Sequence, residues 1–271
     1  MEKTIIKAES SSWLPDFGEL YRFRQLLFSL AWRDIRVKYA QTYIGLTWAF
    51  INPIFNLLIL SFVFGKVVQV ETNGVPHVFF TIIGLSAWTY FSTLLNEAGT
   101  SIIGAQNMIK KIYFPRLVIP LSKAISGLVD FFITLLCLFF IMAYYQYYPS
   151  KNVIWLPLFL IIALLSGLAG GILISALSAR YRDFSFVVPM ISRIGLFATP
   201  VAYSASSVPE QYKLLYFLNP MAGVVEGFRW CLIGSSSPEP YMFISIGIML
   251  ILLIVGILYF GRVDRLMADI L

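Results

Sequence analysis

Four ionisable residues stand inside or at the edge of otherwise apolar stretches: Asp130, Arg193, Glu226 and Arg229. A charge in hydrocarbon is costly, and it marks a proton relay, a substrate path or an ion pair. Asp130 follows Lys123 by seven residues, two helical turns along one face, which predicts charge balance near a helix end, with a proton relay as the alternative. Glu226 and Arg229, three residues apart, can pair on one helix face. A second group lies between apolar stretches. Lys110, Lys111 and Arg116 are interleaved with Ile112, Tyr113 and Phe114, and Pro115 and Pro120 flank the turn into the next helix. A short basic and aromatic helix of this kind suits an interfacial anchor. It equally suits a knob for a soluble partner, with rings in a pocket and charges on its rim.

Several chemistries are missing. Gly65-Lys66 is followed by Val67 and lacks the upstream glycine, so there is no phosphate-cradling loop. Neither HExxH nor GxSxG occurs, and His77, the only histidine, has no ligand partner near it in sequence. Cys137 and Cys231 lie in apolar stretches, at a spacing that fits neither a disulfide framework nor a CxxC metal site. A membrane-embedded enzyme of lipid or glycan metabolism would need convergent acid–base residues, and the scarcity of His, Asp and Glu argues against one. A stand-alone secondary transporter would carry ionisable residues within its spans. The expectation is a transport chain with no catalytic residues, no metal and no cofactor of its own.

Of 271 residues, 59% are hydrophobic and 13% charged, about half the charge of a soluble domain. Only a bilayer accommodates that much apolar surface. The net charge of +6 does not point to nucleic acid, because the basic residues are scattered between apolar runs. Crossing about 30 Å of hydrocarbon takes roughly 20 helical residues. Six spans are predicted, at about 44–64, 78–103, 124–148, 153–178, 186–203 and 241–261, the fifth interrupted by Pro189, Arg193 and Pro200. This is an all-α integral membrane chain: a loosely ordered segment 1–20, then one transmembrane domain over 21–271. Sixteen of the twenty Lys and Arg residues fall on one side of such a bundle, which predicts both termini in the cytoplasm.

Before the first span, Arg22, Gln25, Ser29, Arg33 and Arg36 form one helical stripe, with Phe23, Leu26, Leu27 and Leu30 opposite. That helix is expected to lie along the membrane surface as an anchor or a docking element. Between spans five and six, 209–233 reads as two short helices broken at Asn219-Pro220. They dip in from the external face and return, because irregular backbone at depth needs protein or water around it. Tyr144, Tyr145, Tyr147, Tyr148 and Trp155 read as an interfacial aromatic belt. Ala163, Gly167, Gly171 and Ser175 form a small-residue packing stripe.

Several fragments in this order resemble the membrane subunit of type-2 ABC exporters for polysaccharides. They are Trp32 to Tyr39, Gly45-Leu46-Thr47-Trp48, Asn52-Pro53, Lys110 to Arg116, Ala179 to Asp183, and Leu218-Asn219-Pro220-Met221, and the likeness covers about Leu20 to Arg262. The resemblance implies a homodimer in the bacterial inner membrane, paired with two copies of an ATP-binding subunit that holds ATP and Mg. Its cargo would be a lipid-linked polysaccharide such as O-antigen, capsule or teichoic acid. Docking residues would be Arg33, Arg36, Lys110, Lys111, Tyr113, Phe114, Arg116, Arg180, Arg182 and Asp183. The likeness points to the first and fifth spans for the path. Aromatic faces pack on sugar C–H faces, so Trp48, Phe55, Phe197 and Tyr203 are expected to line it, with Asn52 and Asn56 as hydrogen-bonding partners and lipid-facing filler as the alternative. Asn219, Pro220, Glu226 and Arg229 would form an external gate. Export of a small molecule (drug or haem) within the same frame stays open.

Overall fold

The computed structural model describes residues 15–40, 47–70, 72, 74–235, 238–265 and 267. The expected loose segment therefore falls largely outside the described residues, as do Gly45, Leu46 and the last four residues. Helices account for the regular structure, and no strand occurs among the described residues.

Helix α1 (Phe17–Arg22) starts at Asp16, whose Oδ1 accepts from the Gly18 and Glu19 amides at 2.8 and 3.2 Å. It satisfies two of the donors that a helix start leaves free. The predicted continuous helix over 21–40 is interrupted at Phe23 and resumes as α2 (Arg24–Ala40). The polar stripe Arg22, Gln25, Ser29, Arg33 and Arg36 is exposed along its whole length, while Leu30 and Ala31 are buried against α7.

Helix α3 (Thr47–Phe62) runs into a π-helical turn, Val63–Val67. Helix α4 (His77–Gly99) is buried over most of its length and is the centre of the bundle, packed on α3, α7, α8, α9 and α11. Short helices α5 (Ser101–Gly104) and α6 (Gln106–Ile109) lead to α7 (Val118–Tyr144). The predicted third span was 124–148. The helix starts six residues earlier because Pro120, at its third position, needs no amide partner there. It ends at Tyr144 because Gln146 turns into the left-handed region at φ 54°.

A 3₁₀ turn, Lys151–Trp155, opens into α8 (Leu156–Arg180), whose small stripe packs on α4. A Cβ on Gly167 would come 2.8 Å from Leu94, and one on Gly171 would come 2.6 Å from the Ala98 Cβ. The remaining helices are α9 (Phe184–Ala198), α10 (Glu210–Tyr216), α11 (Pro220–Ile233) and α12 (Met242–Asp264).

Among the described residues, five helical segments are long and apolar enough to cross a membrane: Phe50–Val67, His77–Gly99, Val118–Tyr144, Lys151–Arg180 and Met242–Asp264. The predicted fifth span, 186–203, is the 15-residue α9, which stops before Pro200. At about 1.5 Å per residue it falls short of the hydrocarbon thickness by itself.

Candidate functional site

Residues Leu94, Ala98 and Gly99 of α4 meet Gly167, Gly171 and Ile174 of α8 in the same order. Both helices therefore run towards one end of the bundle, where the basic residues gather. At this end the 109–117 segment, α1 and the last turn of α12 enclose a cavity of about 510 Å³. Lys110 and Lys111 are exposed, as are the Ile112 and Tyr113 side chains. The Tyr113 hydroxyl donates to Glu19 at 3.2 Å, which ties the segment to α1. Arg116 turns inward and donates to the Asp264 carbonyl and, at 3.1 Å, to its carboxylate. Phe114 is buried in the core. Both residues thus hold the knob in place, while Lys110, Lys111 and Tyr113 face outwards. Helix is limited to α6, and the charged residues follow in a turn. Arg180, Arg182 and Asp183 are exposed at the α8–α9 turn, with Arg180 over the Tyr181 ring.

Beside this cavity, α2 is joined to the bundle by ion pairs. Lys123 of α7 bonds Asp34 at 2.6 Å, and Lys38 bonds Asp130 of α7 at 2.5 Å and Glu97 of α4 at 3.5 Å. The Tyr39 hydroxyl also donates to Asp130. The expected balance of Asp130 by Lys123 is thus replaced by crossed pairing: seven residues of helix set these two about 10 Å apart, and each takes its partner from α2. Burial works against the charged forms of Asp34 and Lys38, but their partners prevail. Hydrogen bonds from Lys123 and Arg33 leave Asp34 below the ordinary carboxylate range. Asp130 and Glu97 raise Lys38.

One face of α3 and α9 is uncovered. Asn52, Phe55, Asn56 and Ile59 lie at helical spacing on α3, and Phe186, Met190, Arg193, Ile194 and Phe197 do so on α9; all are exposed. The Asn56 amide donates to the Asn52 carbonyl at 3.0 Å. Trp48 falls within α3, its side chain outside the described residues. Tyr203 is half-buried, and its hydroxyl donates to the Phe197 carbonyl at 3.2 Å.

Helices α10 and α11 meet at 217–219. Asn219 caps α11 by accepting from the Met221 amide at 3.0 Å, and its amide donates to Thr199 at 2.7 Å. Pro220 occupies the first helical position. Arg229 is fully buried: Nη1 donates to Glu226 at 2.9 Å and to the Tyr203 carbonyl at 3.1 Å, and Nη2 donates to the Val201 carbonyl at 2.7 Å. Its guanidinium lies 3.5 Å from the Phe80 ring centre. These residues form a fixed clamp on the 199–205 segment. Among the described residues no three His, Cys, Asp or Glu side chains gather as a metal site.

A family model described as ABC-2 type transporter matches residues 25–233. The chain belongs to the ABC-2 type transporter family. It is 31% identical over 214 residues to an O-antigen export system permease protein of Myxococcus xanthus, covering 78% of this chain and 81% of that protein. A Klebsiella pneumoniae protein of the same name is 27% identical over 91% of this chain and 95% of its own length. The polysialic acid transport protein KpsM of Escherichia coli is 22% identical over 72% and 76%.

Within this ABC-2 fold the matched region spans α2 to α11, and so includes the 109–117 segment, the uncovered face and the clamp, but neither α1 nor α12. Sequence reasoning missed the Asp34, Lys38, Glu97, Lys123 and Asp130 cluster. A signal was present: Asp34 and Lys38 stand four apart on one helix, an acid before a base, and α7 carries the opposite order. Of the expected belt, Tyr145 and Tyr147 both pack on buried Phe79, the latter stacked at 4.9 Å.

Proposed function

We propose that two copies of this chain join along the α3–α9 face and export a lipid-linked polysaccharide across the bacterial inner membrane, driven by two copies of a separate ATP-binding subunit. The observation that carries the reading is the composition of the uncovered face. Asn52 and Arg193 are exposed on apolar helices, where lipid would leave their polar groups unmet, and Asn56, whose amide donates to the Asn52 carbonyl, exposes its own side-chain oxygen there. A second copy and a watery path between the two would satisfy them, and Phe55 and Phe197 on the same stripes suit passing sugar faces. The names of the relatives supply the cargo class.

In this arrangement the basic end and both termini are cytoplasmic, following the charge bias. Helix α9 extended by 199–204 makes the sixth crossing, and α10–α11 is the external re-entrant hairpin. Its clamp holds the outer mouth. ATP and Mg belong to the partner, which docks on Arg33, Arg36, Lys110, Lys111, Tyr113 and the 180–183 turn.

Reconstitution with the ATP-binding subunit should give ATP-dependent movement of lipid-linked glycan, and Phe55→Cys should cross-link two copies. Hydrolysis stimulated by small hydrophobes but not by glycan would favour the drug or haem alternative. Reversing Lys110 and Lys111 to Glu should abolish co-purification of the ATP-binding subunit while membrane insertion is retained. Arg116 is left intact in that variant because it is committed to Asp264. Undiminished co-purification would sink the docking assignment.

A further inference from the structure

We propose that the crossed ion pairs between α2 and α7 form an interlock that carries the motion of the docked ATP-binding subunit into the membrane helices. The proposal rests on the exporter reading above and adds a transmission element to it. Helix α2 packs on α7, with Leu30 and Ala31 its buried residues among those described. Cavities of about 430 and 380 Å³ open beneath it, one beside Arg33, Glu97 and Lys123, the other beside Asp34, Lys38 and Ser126. Packing through Leu30 and Ala31 seats the helix, and beside these cavities the charged contacts are what join it to α7 and α4.

Their order resists slippage. On α2 the acid Asp34 precedes the base Lys38 by one turn; on α7 the base Lys123 precedes the acid Asp130. Sliding α2 by one turn in either direction sets Lys38 against Lys123 or Asp34 against Asp130, two like-charge encounters. Lys38 also reaches Glu97 on the central helix α4, so a push on α2 arrives at α7 and α4 together. Those two helices support α3, which carries the Asn52–Asn56 stripe. Side-chain exposures of 16% for Asp34 and 20% for Lys123 leave these contacts less screened than surface pairs.

The test uses the full complex with its ATP-binding subunit in liposomes, scoring co-purification, ATP hydrolysis and movement of lipid-linked glycan. Asp34→Lys and Lys123→Asp, each alone, should leave assembly and hydrolysis in place and lower export by roughly tenfold, the scale of a coupling free energy between linked sites. The double variant Asp34→Lys/Lys123→Asp should regain most of the export, because the pair is restored with its signs exchanged. A helix-anchoring role alone predicts instead that each single reversal loses co-purification of the ATP-binding subunit along with export, since α2 carries part of the docking surface. If a single reversal fails to insert, the neutral pair Asp34→Asn/Lys123→Met decides instead: it should assemble and hydrolyse ATP but export poorly. Wild-type export by the neutral pair, or failure of the double reversal to rescue two inserted single variants, overturns the interlock. Wild-type protein that assembles yet moves no glycan removes the exporter reading itself, and the interlock with it.

Discussion

Arg229→Met should leave little folded protein in the membrane fraction, with the thermal midpoint in detergent falling well below that of wild type. The guanidinium is fully buried and makes four contacts at once: Glu226, the carbonyls of Val201 and Tyr203, and the face of Phe80. Removing it leaves the Glu226 charge with only the Ala205 amide, at 3.0 Å, and strands two carbonyls. Breaking a buried ion pair from one side costs about 3–5 kcal/mol, a large part of the stability of a domain. Arg229→Lys should fail nearly as badly, since an ammonium cannot reproduce the planar fork. Arg229→Met with Glu226→Gln should recover part of the loss by removing the orphaned charge. The surroundings leave no substitute. A Cβ on Gly84 would lie 2.6 Å from the Val201 carbonyl oxygen and 3.0 Å from the Arg229 guanidinium, so the helix below is cut back to make room. A normal midpoint for Arg229→Met would refute the clamp.

Long apolar runs made five of the six predicted spans legible, because local composition suffices to announce each, while the one at 186–203 is the short α9. The break between α10 and α11 was legible from Asn219-Pro220, where Asn219 caps α11 and Pro220 takes its first position; the same pair at Asn52-Pro53 lies inside α3, so the dipeptide alone does not decide. That Asn52 and Asn56 share one face of α3 was legible from their spacing of one turn, whereas the choice of that helix for the path came from the family resemblance. What eluded the sequence was pairing across helices. Arg116 and Phe114 read as partner-facing because their neighbours Lys110 and Tyr113 are. Yet the turn after α6 points alternate side chains inward, and Asp264, 148 residues away, claims Arg116. Asp130 was matched to Lys123 because they share a helix, and no single-helix argument contains α2. Charge in a membrane protein is placed by the bundle, and its partners become visible only once the helices are set side by side.

Gly227→Ala should be the most damaging single methyl group that can be added to α11. The new Cβ would fall 2.0 Å from Cε1 of Phe159, whose ring is buried on α8 and meets Trp230 edge-on. Overpacking of this kind costs about 1–3 kcal/mol, and more where neighbours cannot retreat. Retreat is blocked on the other side too, because Gly223, one turn earlier, already lies against Met242 and Ser245 of α12. Ser245 in turn holds the carbonyls of Phe217 and Asn219 at 2.8 and 3.0 Å. Helix α11 is thus wedged between α8 and α12 by its two glycines, and the wedge sets where Glu226 and Arg229 stand. Trimming the obstacle should restore the fit: Gly227→Ala/Phe159→Leu is expected to have a higher thermal midpoint than Gly227→Ala alone. If the wedge and the clamp are one device, Arg229→Met combined with Gly227→Ala should destabilise by less than the two effects added, since either change already releases the 199–205 segment. Simple additivity would mean that α11 is seated independently of the ion pair it carries.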